Sequence, residues 1–381
     1  MGTTERDVAV VLSGGAVNGV LMELGFLQRL RASELWPRVG WIYGTSSGAL
    51  SGTMAALDRL DELQQFMELL QPEETFRPHS LWRLPLLGSH DYRLPETVSE
   101  RLGDPLDIAR ALQDGPIEVR VCATDVTGDR DGAGPHAFEL VYSSHRDSPE
   151  RMAEAVLASA AVSGLVLPRR VGDRIATDGA WVRNFPLGLA YDEPAVELIV
   201  AFRYEPMYPE PSSEWLTRLR RRLQRFGRVP PVAALATELQ EAEERAARGE
   251  PAHWGDMLVR LMRVSVLQNT VLEERLADEK DESIRELAEL RRDVVELARA
   301  GVGRRRGERL AQAIDERFAA ARFPFARDRL LPRITVRGTA GDDSLETGLR
   351  NPEPWTLEAK QTLIRRGWDL LDAELAATKL A

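Results

Sequence analysis

The stretch that most constrains this chain is Gly44-Thr45-Ser46-Ser47-Gly48. Before it, Val39-Gly40-Trp41-Ile42-Tyr43 is short and apolar enough for a buried strand. After it, Ala49 to Leu57 reads as a helix of small residues. Strand, Gly-x-Ser-x-Gly turn and helix together make a nucleophile elbow. Gly44 and Gly48 let the chain turn sharply and let the helix pack close to the strand. The turn leaves the Ser46 hydroxyl at a helix N-terminus, where unpaired N–H groups and the helix dipole favour a developing negative charge. The pentapeptide alone is a weak signal; its strand and helix context is what raises it.

A second unit of the same kind opens the chain. Val8-Ala9-Val10-Val11-Leu12 is a continuous apolar run, the pattern of a buried parallel strand. Ser13-Gly14-Gly15-Ala16-Val17-Asn18-Gly19 follows, and apolar residues at 20, 21, 24, 27 and 30 then give a helical spacing. One reading of this loop is a dinucleotide cradle. The glycines at 14, 15 and 19 do not fall in the Gly-x-Gly-x-x-Gly pattern, and the next strand ends in a serine elbow rather than an acidic ribose ligand. The other reading is an oxyanion site serving Ser46, since adjacent parallel strands put both loops at one sheet edge.

Further along, Ile117 to Ala123 reads as a strand, residues 129–136 as a polar turn, Ala137 to Tyr142 as a half-buried strand and Pro149 to Ala161 as a helix. Arg174 to Pro186 holds a short strand with Asp178 at a turn, where Gly179 permits the bend that aims the carboxylate. Another strand covers 196–202. The apolar, proline-broken loop at 78–88 suits a lid or a loop packed on the body.

With 381 residues and 43% hydrophobic content, the chain can bury a large core in one large domain or two. The net charge of −10 argues against nucleic acid as the main partner. The single cysteine, Cys122, allows no internal disulfide, fits a reducing compartment and sits in a strand-like run as plain core. The first residues show no secretory signal, and no apolar run reaches the ~18 residues of a membrane span. The expectation is a cytoplasmic protein, with peripheral membrane contact left open. No His/Cys/Asp cluster has metal-ligand spacing, so neither metal nor cofactor is expected.

Beyond Tyr204, Pro206, Pro209 and Pro211 mark a boundary, and residues 212–321 are mostly charged helix. A helix from Ser213 carries Trp215, Leu216, Leu219, Leu223 and Phe226 on one face and six arginines on the other, suiting either a docked helix or a membrane surface. Ile284, Leu287, Leu290, Val294 and Leu297 make a heptad-like stripe expected to pack between helices, and Arg304-Arg305-Arg306 reads as a solvated turn. A last strand at 334–336 and a helix from Thr356 to Ala377 close the chain.

The ordered set Ser13 to Gly19, Gly44 to Gly48 and Asp178-Gly179-Ala180 resembles the patatin-like phospholipase family. Ala123-Thr124-Asp125, Ala158-Ser159-Ala160-Ala161, Asn184-Phe185-Pro186 and Leu363 to Leu371 add to the likeness, which covers about residues 6–205 and 330–377. The resemblance implies a three-layer α/β/α fold with a mostly parallel sheet. It divides the chain into a catalytic domain, 6–205 with 330–381, and a helical insertion or cap, 206–329, open to an oligomer or protein partner. It implies a lipid acyl hydrolase acting on lipid esters, with Ser46 as nucleophile, Asp178 as base, and N–H groups around Gly14, Gly15 and Ala16 as oxyanion donors. The same dyad would serve an acyltransferase, and a lipid-binding module that lost turnover is the rival. The residues agree with a dyad lacking histidine: of five histidines, only His253 follows Asp178, and it lies in the charged helical segment. Two positions depart from the family pattern. Ala16 stands where a third glycine is usual, and Asn18 stands for a basic residue before Gly19, removing a charge that would suit a phosphate head group.

Overall fold

The computed structural model describes residues 6–79, 90–127, 138–162, 165–205, 220–221, 230–248, 250, 254–301, 304–319, 330–345 and 354–378. The polar turn at 129–136, most of the loop at 78–88 and nearly all of the basic helix from 213 lie outside them.

β1 (Val8–Leu12) leads into α1 (Ala16–Arg31), and β2 (Val39–Thr45) into α2 (Ser47–Ala56). α3 (Leu60–Leu69) follows. β3 (Phe76–Pro78) and β4 (His90–Tyr92) form a small antiparallel pair. α4 (Leu94–Arg101) and α5 (Pro105–Gln113) precede β5 (Glu118–Asp125). β6 (Glu139–Ser143), α6 (Pro149–Ser159), β7 (Arg169–Val171) and β8 (Arg174–Asp178) come next, then the short α7 (Ala180–Arg183) and α8 (Leu187–Tyr191). After β9 (Leu198–Tyr204) come α9 (Pro230–Ala247), the 48-residue α10 (Trp254–Gly301) and α11 (Arg304–Ala319). β10 (Arg333–Gly338) and α12 (Leu357–Thr378) end the fold.

The sheet runs β10-β9-β1-β2-β5-β8-β7, with β6 also on β5. The five strands from β10 to β5 are parallel, whereas β8 and β6 pair with β5 antiparallel. The continuous apolar runs have a direct cause. In β1, Val8, Val10 and Leu12 enter one core, with α1, α2 and α12, while Ala9 and Val11 enter a second with Phe185, Leu187 and Ala277. In β9, Leu198, Val200 and Phe202 join the first core, and Ile199 and Ala201 the second. Both faces are covered, so the architecture is a three-layer α/β/α sandwich with a mostly parallel sheet.

α12 packs along α1 and carries a buried lysine. The Lys360 ammonium donates to the main-chain oxygens of Glu68 at 2.9 Å and Leu70 at 2.6 Å, closing the C-terminal end of α3. Cys122 is buried in β5, as its surroundings in the sequence imply. Two local expectations change. Arg304 to Arg306 begin α11 rather than forming a turn. In the last turns of α10, Leu290 and Leu297 are exposed while Val295 and Ala298 are buried, with Ala311 buried on α11. Small residues at the hairpin contact let the two helices approach closely. Among the described residues, no helix is long and apolar enough to cross a membrane.

Candidate active site

Ser46 lies at the tip of the β2–α2 turn with φ +55° and ψ −116°, a region sparsely used by side-chain-bearing residues. The surroundings enforce it. Gly48 sits so close to β1 that a Cβ there would fall 2.7 Å from the Leu12 carbonyl oxygen. The Ser46 amide donates to Ser159 Oγ at 2.8 Å, and that hydroxyl donates to the Cys122 carbonyl at 2.6 Å. Thr45, one residue before, donates its hydroxyl to the Arg183 carbonyl at 2.8 Å.

Ser46 Oγ donates to Asp178 Oδ2 at 2.8 Å, and both residues are buried. The Ala180 amide donates to Oδ1 at 2.8 Å, the bend at Gly179 having turned that N–H back on the carboxylate. Thr124 Oγ1 donates to the Asp178 carbonyl at 2.7 Å. Burial is the largest influence on the acid and pushes it up to about 6, against the opposing hydrogen bonds from Ala180 and Ser46. At neutral pH it is a carboxylate with more affinity for a proton than an exposed aspartate.

The glycine-rich loop reaches the same place. A Cβ on Gly14 would lie 3.1 Å from Ser46 Cβ, so the bare backbone of the loop flanks the hydroxyl. The three expected donors are not equivalent, however. The Gly14 amide donates to the Asn184 carbonyl at 3.0 Å. Gly15 is the N-cap of α1 and Ala16 its first residue, where helix amides have no partner within the helix. Ala16 has φ +47°, a left-handed conformation that suits glycine, and its methyl is exposed.

Asn18 is turned into the interior of the protein. It is fully buried: its amide nitrogen donates to Tyr204 Oη at 3.1 Å and Ser344 Oγ at 2.9 Å, and its oxygen accepts from the Leu345 amide at 3.0 Å. A neutral amide supplies both donor and acceptor there, whereas a lysine or arginine would bury a charge. The position ties α1 to β9 and to the segment before α12.

Several contacts at the site carry no sequence signal of their own. Asn184 Nδ2 donates to Thr270 Oγ1 at 2.8 Å, and Asn269 Nδ2 of α10 donates to the Trp181 carbonyl at 3.2 Å. Arg183 bridges Glu139 of β6 and Glu273 of α10, the latter at 2.6 Å, and is largely buried between them. The long helix therefore rests directly on the segment that follows Asp178. Ser159 and Asn184 stood in family-like stretches, but only the fold shows what they touch. Among the described residues, no group of three or more His, Cys, Asp or Glu side chains is placed to hold a metal ion.

Residues 10–191 match the family model described as patatin-like phospholipase. The crystal structure of VipD from Legionella pneumophila is similar with a TM-score of 0.40 and 12% identity, over 98% of this chain and 67% of that one. No curated protein matches the sequence.

Proposed function

We propose, from the match of residues 10–191 to the patatin-like phospholipase family model, that this protein cleaves lipid esters through a Ser46–Asp178 dyad. The observation that carries the reading is the 2.8 Å hydrogen bond from Ser46 Oγ to Asp178 Oδ2. Geometry of this kind, a nucleophile within reach of its base and the base oriented by another group, is the signature of an activated hydroxyl. Here the orienting group is the Ala180 amide.

The chemistry runs in two steps. Ser46 Oγ bonds to the ester carbonyl carbon as its proton passes to Asp178, and the carbonyl oxygen becomes an oxyanion. In this reading the Gly15 and Ala16 amides, at the start of α1 and without partners within the helix, are its donors; loss of one such donor typically costs roughly 10²–10³ in rate. The intermediate collapses, the leaving alkoxide takes the proton from Asp178, and an acyl-serine remains. Water then attacks the acyl carbon, gives its proton to Asp178, and Ser46 regains it as the fatty acid leaves. An aspartate raised to about 6 by burial suits this role better than one near 3.8.

In this reading residues 6–205 with 330–381 form the catalytic domain, and 206–329 form a helical insertion that braces it. The test is release of fatty acid from mixed phospholipid and neutral-lipid vesicles by wild type, Ser46→Ala and Asp178→Asn, each checked for folding. Release by wild type and near-complete loss in both variants supports the dyad. Equal release by the variants and wild type overturns it.

A further inference from the structure

A second buried carboxyl lies beneath the elbow. Glu23 of α1 is fully buried and reaches across to α2. Its Oε1 is 3.0 Å from Ser47 Oγ, and its Oε2 is 2.7 Å from Ser51 Oγ. Ser47 Oγ is also 3.3 Å from the Ser13 carbonyl, and Ser51 Oγ is 3.0 Å from the Ser47 carbonyl. Four oxygen–oxygen contacts thus share the hydrogens of two hydroxyls. An ionised carboxylate takes both and leaves both carbonyl contacts without one. A carboxylic acid brings a third. It donates to Ser51 Oγ, Ser51 donates to the Ser47 carbonyl, and Ser47 donates to Glu23 Oε1 or the Ser13 carbonyl.

The surroundings agree with the hydrogen count. The groups facing Glu23 from α2 are the Ser47 and Ser51 hydroxyls, and among the described residues no charged side chain acts on it beside them. Burial pushes it up to about 8 against those two hydrogen bonds. The location matters because Ser47 follows the candidate nucleophile and Ser13 precedes the glycine-rich loop. Through Ser47, the Glu23 side chain is therefore connected to both loops of the site.

We infer that Glu23 is a neutral carboxylic acid serving as a positioning residue, which sets α2 against α1 so that Ser46 and the Gly15 and Ala16 amides keep one geometry. The catalytic half of this inference rests on Ser46 being the nucleophile; the protonation half can be read without turnover. The experiment compares the full chain as wild type, Glu23→Gln and Glu23→Ala. Glutamine has a donor and an acceptor, so it reproduces the acid and not the carboxylate. Glu23→Gln keeps kcat within about threefold, and Glu23→Ala lowers it at least about tenfold with less change in KM, as misplaced reacting groups do. Wild type loses activity as pH rises through about 8, and Glu23→Gln does not. The folded state holds this proton more tightly than the unfolded one, so the stability of wild type relative to Glu23→Gln falls from pH 4.5 to about 8. A Glu23→Gln protein that folds but loses as much kcat as Glu23→Ala overturns the positioning role. A stability difference that stays flat across that pH range overturns the neutral acid, even where wild type shows no turnover on the esters tried. Should Glu23→Ala fail to fold, the Glu23→Gln comparisons still decide both points.

Discussion

Ser46 and Asp178 meet from strands of opposite direction on either side of β5. Thr45 of β2 pairs with Cys122, which brings Ser46 level with Ala123, and Ala123 pairs antiparallel with Asp178 of β8. The two chain turns therefore face each other across one strand, and their side chains close the gap at 2.8 Å. Reversal of β8 within a mostly parallel sheet is what brings an acid to this edge without a histidine between.

Because Asp178 must be ionised to accept the proton, kcat should fall as pH drops below about 6. The sign for stability is the opposite. The folded pKa is raised, so the stabilising contribution of the protonated acid is lost as pH rises through about 6. Asp178→Asn should abolish turnover by about 10³ or more and raise the melting temperature at pH 8, where wild type buries a charge. A pH–rate profile and melts at pH 5 and 8 check both.

Ala16 holds φ +47° with an exposed methyl. Ala16→Gly should relieve the left-handed strain and stabilise the protein by about 1 kcal/mol. Its amide stays in place, so activity is retained. Ala16→Val, whose branched side chain resists that conformation, should destabilise and slow turnover together. Urea denaturation alongside fatty-acid release separates these outcomes.

Ser159 accepts from the Ser46 amide and donates to the Cys122 carbonyl. Ser159→Ala leaves a buried N–H without its acceptor, which costs roughly 1–3 kcal/mol. It also frees the elbow, so kcat should drop further than KM changes. Denaturant midpoints and steady-state kinetics on the same preparation test this.

Asn184 is held by Thr270 and sets its carbonyl on the Gly14 amide. Thr270→Val and Asn184→Ala should each lower activity by about tenfold, and the double variant should lose less than the product, as contacting residues do. A double-mutant cycle on kcat/KM supplies the number.

The sequence made the frame legible where local pattern and tertiary role agree. The runs at 8–12 and 39–43 are apolar throughout because both faces of their strands are buried, and the glycines at 14 and 48 mark backbone approach that only glycine allows. Ser46 and Asp178 stood out because each ends a strand at a glycine turn. What is not legible in the sequence is what residues touch across distant segments. Ser159 sits among alanines, Asn184 and Thr270 are 86 positions apart, and Asn18 has its partners at Tyr204, Ser344 and Leu345. Glu23 left one trace, an acid inside the apolar run from Val20 to Leu24. The α10–α11 contact is not legible because the small Ala298 and Ala311 are buried there while Leu290 and Leu297 are exposed.

The central claim is that Ser46 is a nucleophile activated by Asp178, and labelling by a fluorophosphonate probe tests it most directly. Wild type should carry the probe on the peptide containing Ser46, Asp178→Asn should label far more slowly at the same position, and Ser46→Ala should not label there. A folded wild type that never labels at Ser46, or one whose labelling rate is unchanged by Asp178→Asn, would contradict the account.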